Sequence, residues 1–217
     1  MMTPLRLLGI FAITSTLLSA STRGATVSTF AGNGTKGSAG DGGPATAADG
    51  APCWLAIAPD GTIVYTDDGD ARLTGNKRVR RVGTNGIVTT IAGTGVAGFT
   101  GDGGPARTAQ IRSASGVAVD ANGNVFIADA VSVRIRKVDP AGMITTYAGV
   151  GTAGAGGDGG PALQAQFNFP SGMATDSIGN LYVADARNLK VRKVSIPPGP
   201  ARIWTAPVLS MRKSSMP

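Results

Sequence analysis

Gly40-Asp41-Gly42-Gly43-Pro44-Ala45, Gly101-Asp102-Gly103-Gly104-Pro105-Ala106 and Gly157-Asp158-Gly159-Gly160-Pro161-Ala162 are one phrase written three times in a chain of 217 residues. The copies lie 61 and 56 residues apart. Self-similarity at such a period is the mark of a repeat architecture, in which each unit buries its apolar face against its neighbour.

Working outward from the second and third copies, the match continues nearly position by position. Gly116-Val117-Ala118-Val119-Asp120 corresponds to Gly172-Met173-Ala174-Thr175-Asp176. Gly123-Asn124-Val125-Phe126-Ile127-Ala128-Asp129 corresponds to Gly179-Asn180-Leu181-Tyr182-Val183-Ala184-Asp185, and Arg134-Ile135-Arg136-Lys137-Val138 to Lys190-Val191-Arg192-Lys193-Val194. Ile144-Thr145-Thr146-Tyr147-Ala148-Gly149 closes the second unit. Each unit thus holds four short β-rich runs separated by Gly, Asn and Asp turns. The first two are nearly continuous apolar runs, as in strands covered on both faces. The third alternates basic and aliphatic residues and is expected nearer solvent; the fourth is threonine-rich and amphipathic. Four strands graded from apolar to polar describe a propeller blade.

The first unit departs most. Leu55-Ala56-Ile57-Ala58 aligns with the first strand, but Ala58 stands where Asp120 and Asp176 recur, and six extra residues fall between Asp67 and Val82. Val27-Ser28-Thr29-Phe30-Ala31-Gly32 reads as an isolated fourth strand ahead of this unit. After Val194 the pattern gives way to Ser195-Ile196-Pro197-Pro198-Gly199-Pro200, with Arg202-Ile203-Trp204-Thr205 as a replacement for the missing strand.

These motifs resemble the NHL-repeat β-propellers: the GDGGPA loops, Gly-Val-Ala-Val-Asp followed by Gly-Asn-Val-Phe-Ile-Ala-Asp, and the basic strand ending Arg-Lys-Val. The likeness covers about residues 26–196 and is similar to long arrays in exported bacterial proteins, to sensor propellers of bacterial kinases and to teneurin propellers. It implies an all-β fold of three four-stranded blades, with units at about 26–93, 94–149 and 150–196, forming an incomplete, open ring. Such propellers usually close with about six blades, within a general range of roughly four to eight. A truncated gene product, two chains completing one ring, and a free open arc are the three readings of the shortfall.

Composition bounds the chemistry. Glycine contributes 33 residues and aromatics 5%, which suits short strands and turns. Histidine is absent and all 13 acidic residues are aspartate. The usual general base and commonest zinc ligand are therefore missing. The net charge of +7 is concentrated at the termini; residues 25–194 hold 15 basic against 13 acidic groups. That mixed surface argues against nucleic acid as a partner. Arg6, the apolar stretch Leu7 to Leu18 and the small residues Ser19-Ala20-Ser21 read as a signal peptide over residues 1–24, implying secretion or a periplasmic location without a transmembrane span after cleavage. Residues 197–217 form a non-repeat, Pro-rich basic tail. Cys53, the single cysteine, aligns with Ser115 and Ser171 and is expected in a small-residue packing slot.

The candidate residues divide into two groups. Asp41, Asp102 and Asp158 in the repeated loops are expected to accept backbone amides while the neighbouring glycines take positive φ. Asp129 and Asp185, at strand ends, are expected to tie turns within a blade. Asp67-Asp68-Gly69-Asp70 is read as an exposed insertion, since it lacks the ligand spacing of a calcium loop. Arg78, Arg80, Arg134, Arg136, Lys190 and Arg192 would come into register as basic stripes, a candidate binding surface. No catalytic residue, metal site or cofactor is expected. The function read from these features is an exported, non-catalytic scaffold for a protein or cell-envelope ligand, with a homodimer as one route to ring closure. The alternatives are a metal-dependent lactonase- or lyase-like propeller, whose relatives use the Glu or His ligands missing here, and a truncated product without independent function.

Overall fold

The computed structural model describes residues 25–69 and 75–196. Among these, the apolar runs form three antiparallel sheets that follow the repeat. The first comprises β1 (Pro52–Ile57), β2 (Ile63–Asp67), β3 (Arg78–Val82) and β4 (Val88–Ala92) in sequential order. The second adds the two-residue β5 (Gly104–Pro105) outside β9 (Met143–Ala148), followed inward by β8 (Arg134–Val138), β7 (Val125–Asp129) and β6 (Ala114–Val119). The third contains β10 (Pro170–Thr175), β11 (Leu181–Asp185) and β12 (Lys190–Val194). Three meanders with their first strands innermost form propeller blades. The third blade has three strands among the described residues, which end shortly after β12.

The blades stack face to face. Val64, Val79 and Ala92 of the first blade pack against Val125, Ile127 and Val138 of the second; Phe126, Ile135 and Ala148 of the second pack against Leu181, Val183 and Val194 of the third. The inner strand β6 lies between β1 and β10. Gly116 permits that approach: a Cβ there would stand 2.0 Å from the carbonyl oxygen of Ser171. Two side chains cross this second junction. The Ser115 hydroxyl donates to Pro170 O at 2.8 Å and the Thr175 hydroxyl to Val119 O at 2.9 Å.

Burial follows blade position as much as sequence. Strand β7 is buried throughout, as its apolar run predicts. Strand β1 is not: Leu55 is 67% and Ile57 69% exposed, because no described blade covers that face. Cys53 is exposed too, which corrects the packing slot expected of it. Val27 to Phe30 form no strand. Yet the end of this segment is seated like β4 and β9. Gly32 and Asn33 donate to Ala45 and Ala48, as Gly93 and Thr94 do to Ala106 and Ala109, and Gly149 and Val150 to Ala162 and Ala165. The segment therefore holds the place of a preceding blade's outer strand and has no strand beside it among the described residues. The expected signal peptide, the tail and the Arg202–Thr205 replacement strand lie outside the described residues.

Candidate functional site

The repeated loops and the basic strands form one structure in each blade. The Arg80 side chain is fully buried, donating from Nε and Nη2 to Asp41 Oδ1 at 3.2 and 2.9 Å and from Nη1 to Asp49 O at 2.6 Å. Arg136 does the same with Asp102 Oδ1, at 2.9 Å from Nε and 2.7 Å from Nη2, and donates to Gln110 O and Thr100 O. Arg192 binds Asp158 Oδ1 at 3.0 and 2.6 Å, together with Gln166 O and Gly156 O. Each guanidinium thus ties its unit's leading loop onto its third strand. The glycines flanking each loop aspartate, such as Gly101 and Gly103 (φ 89° and 81°), occupy the left-handed region as expected. The loop carboxylates accept from the strands as well: Thr90 N donates to Asp41 Oδ2 and the Thr146 hydroxyl to Asp102 Oδ2. Burial pushes the Asp41 carboxyl up, but the hydrogen bonds from Thr90 and Arg80 outweigh it and hold it below the usual range.

This arrangement corrects the expected basic stripe. Arg80, Arg136 and Arg192 are buried, and Arg78 and Arg134 are half-buried with their guanidiniums on backbone carbonyls. Lys190 alone of the six is exposed. Alternation put one face of each third strand toward the loop, and the charge on that face is neutralised by the loop aspartate. The signal was present in the sequence: the Asp–Arg separation is 34 residues in both later units and 39 in the first, which carries the insertion.

The strand-end aspartates tie turns. Asp129 accepts from Arg112 N and Ser113 N; Asp185 accepts from Asn168 N and Asn188 Nδ2. Asp67 is their first-blade equivalent, accepting from Ala51 N and Asn76 Nδ2. Burial pushes both Asp67 and Asp129 above the ordinary carboxylate range despite these donors. Asp67 and Asp68 are buried, not exposed as the insertion reading expects. Asp68 Oδ1 binds the buried Lys77 Nζ at 2.5 Å, and Oδ2 accepts from Ala114 N of the second blade at 2.8 Å. It is a clamp between blades.

Two features remain unspent by these ties. One is the pair of open apolar ends: Leu55 and Ile57 on the first blade, and Leu189 and Val191, 92% and 75% exposed, on the third. The other is a cavity of about 540 Å³ between the first and second blades, bordered by Asp60, Arg81, Ile91, Arg107, Asn122 and Asp139. Asp60 replaces the turn tie lost at Ala58. Its Oδ1 accepts from Thr62 N and the Thr62 hydroxyl, as Asp120 accepts from Asn122 and Asn124 in the second blade. Those bonds, with lesser help from Arg81, hold Asp60 below the usual carboxylate range. Among the described residues, no group of three Cys, Asp, Glu or His side chains is placed to hold a metal ion, and no helix is long and apolar enough to cross a membrane.

Comparison with known proteins agrees with this architecture. The family model of the teneurin NHL domain matches residues 95–155. Teneurin-1 of Caenorhabditis elegans is 31% identical over 138 residues, covering 60% of this chain and 5% of that protein. A Bacteroides thetaiotaomicron structural-genomics protein of unknown function superposes with a TM-score of 0.53 at 26% identity, covering 62% of this chain and 32% of the other. An auxiliary nutrient binding protein of the same organism superposes with a TM-score of 0.50 at 20% identity, covering 65% and 36%. The chain therefore spans a small part of the curated relative it matches and about a third of these solved structures.

Proposed function

Because this chain is an NHL-repeat β-propeller, we propose that it works as an exported, non-catalytic scaffold that recognises a protein or cell-envelope ligand. The observation that carries this reading is the contrast between its interior and its ends. The recurring Asp–Arg pairs are consumed in holding each blade together, whereas the terminal blades present bare apolar strands. Contiguous exposed apolar surface of this kind marks an interaction face. Rigid blades fix the backbone, and the loops between them supply specificity.

A second copy of the chain is the partner that fits the open ends. Among the described residues, Val27 to Ala31 occupies an outer-strand position without a sheet, and β12 presents an edge without a fourth strand. Two chains placed head to tail would satisfy both and give six blades. Light scattering on the exported chain tests this: a dimer is expected, and deletion of residues 25–31 should return it to monomer. A stable monomer that buries neither end overturns the ring.

A further inference from the structure

The cavity between the first and second blades has a specific origin. At the next junction the corresponding strands carry Phe126 and Tyr147, whose rings meet edge to face with centroids 4.9 Å apart. Lys137 lies over the Tyr147 ring at 5.9 Å. The first blade carries Val64 at the Phe126 position, Ile91 at the Tyr147 position, and Arg81 at the Lys137 position. Two rings have been cut back to aliphatic side chains, and the cation that would rest on one of them has lost its platform.

Arg81 is consequently underused. Its Nε is buried without a hydrogen-bond partner. Arg107, contributed by the second blade where the third has Leu163, reaches back to Thr90 O through Nε at 2.6 Å, and its terminal nitrogens have no hydrogen-bond partner among the described residues. Two guanidinium forks therefore border one cavity from opposite blades. The acceptors opposite them are partly engaged: Asp60 Oδ1 is held by Thr62, and Asp139 Oδ1 by Met143 N at 2.9 Å. Asp60, Asp139 and Asn122 all line the cavity. Val125 and Val138 line an apolar wall.

We propose that this cavity binds a small hydroxylated carboxylate of the acidic-sugar class, independently of whichever partner the open ends take. A guanidinium matches a carboxylate in a bidentate, planar geometry. The free aspartate oxygens and Asn122 accept from hydroxyl groups, and the aliphatic wall covers the C–H face of a sugar ring. A phosphate dianion fits less well, because the Asp60 and Asp139 carboxylates stand at the same rim. Pockets that bury small ligands begin at about 300 Å³, which this volume exceeds.

Titration calorimetry of the full chain with glucuronate, galacturonate, glucose and inorganic phosphate tests the assignment. Saturable binding of at least one uronate is expected, with glucose weaker by about tenfold or more, the scale of a charge-assisted contact. Arg81→Met should remove that preference. The substitution Ile91→Tyr, which puts into the cavity the ring found at the second junction, should abolish binding while leaving the unfolding midpoint equal or higher. Equal binding of glucose and uronate would overturn the carboxylate, and phosphate binding without uronate binding would overturn the class. Absence of binding by all four probes, or binding that survives the refilled cavity, would overturn the site. None of these results depends on whether the chain dimerises.

Discussion

Substitutions in the Arg136–Asp102 knot should be unequal in a direction set by burial. The Arg136 side chain is wholly buried, whereas that of Asp102 is 38% exposed. Asp102→Ala strands a guanidinium in the interior with no counter-charge, leaving the carbonyls of Gln110 and Thr100 and the Phe99 ring 4.7 Å away as its partners. Leaving an uncompensated buried charge costs about 3–5 kcal/mol. Arg136→Met removes the charge itself and keeps an apolar stem of similar length. Asp102 can then be rehydrated, and the loss is the donors to two carbonyls, about 1 kcal/mol each. The expected cost is about 2 kcal/mol, so the arginine variant should be the more stable of the two. The double variant should be more stable than Asp102→Ala alone, because the second substitution removes the stranded cation. Urea unfolding followed by far-UV circular dichroism measures all three; with a slope of about 2 kcal/mol per molar, the aspartate variant should move the midpoint by roughly 2 M. Strict additivity, or an arginine variant less stable than the aspartate variant, would refute the view that desolvated charge governs this knot.

Other consequences are checked by the same unfolding assay. Gly116→Ala places a methyl group against the Ser171 carbonyl and should cost about 1–3 kcal/mol by forcing the second and third blades apart. Asp68→Asn removes the carboxylate that neutralises buried Lys77 and should cost about 3 kcal/mol, whereas an exposed insertion would tolerate it. The pH dependence should have two limbs. Asp67 and Asp129 have raised carboxyl pKa values, so the folded state takes up their protons first and stability should rise as pH falls through their folded pKa values toward the ordinary carboxylate value near about 4. Asp41 is lowered, so its contribution is present above the ordinary carboxylate value near about 4 and is lost as pH falls through its folded pKa. An unfolding midpoint that declines steadily from neutral pH downward would contradict the first limb.

Blade identity and strand order were legible because they depend on local period: apolar runs, glycine turns and threonine-rich outer strands recur in register. The arginines show what such patterns omit. Read along β8, Arg136 looks like a solvent-facing residue, since an unpaired charge belongs in water. Its burial depends on Asp102, 34 residues earlier and in a different kind of segment. Only the recurrence of that separation in both later units connects them. Leu55 and Ile57 fail in the opposite sense. Their apolar pattern announces a buried strand, but burial also needs a neighbouring blade, which a strand's own sequence cannot supply. The cavity was equally hidden: Val64 and Ile91 are unremarked core residues until they are set beside Phe126 and Tyr147.

The knots also bear on how such arrays grow. Asp41–Arg80, Asp102–Arg136 and Asp158–Arg192 each close within a single unit, so the most demanding chemistry in the fold is carried entirely by one repeat. The polar links between units are of another kind, among them Asp68 to the amide of Ala114, Arg107 to the carbonyl of Thr90, Ser115 to the carbonyl of Pro170, and Thr175 to the carbonyl of Val119. In each, one partner is main chain, which any incoming blade supplies whatever its sequence. A unit copied or deleted by unequal recombination would carry its own lock with it and meet a neighbour that already fits. Blade number in this architecture is thus free to drift over evolutionary time without the compensating substitutions that a side-chain-to-side-chain interface would demand.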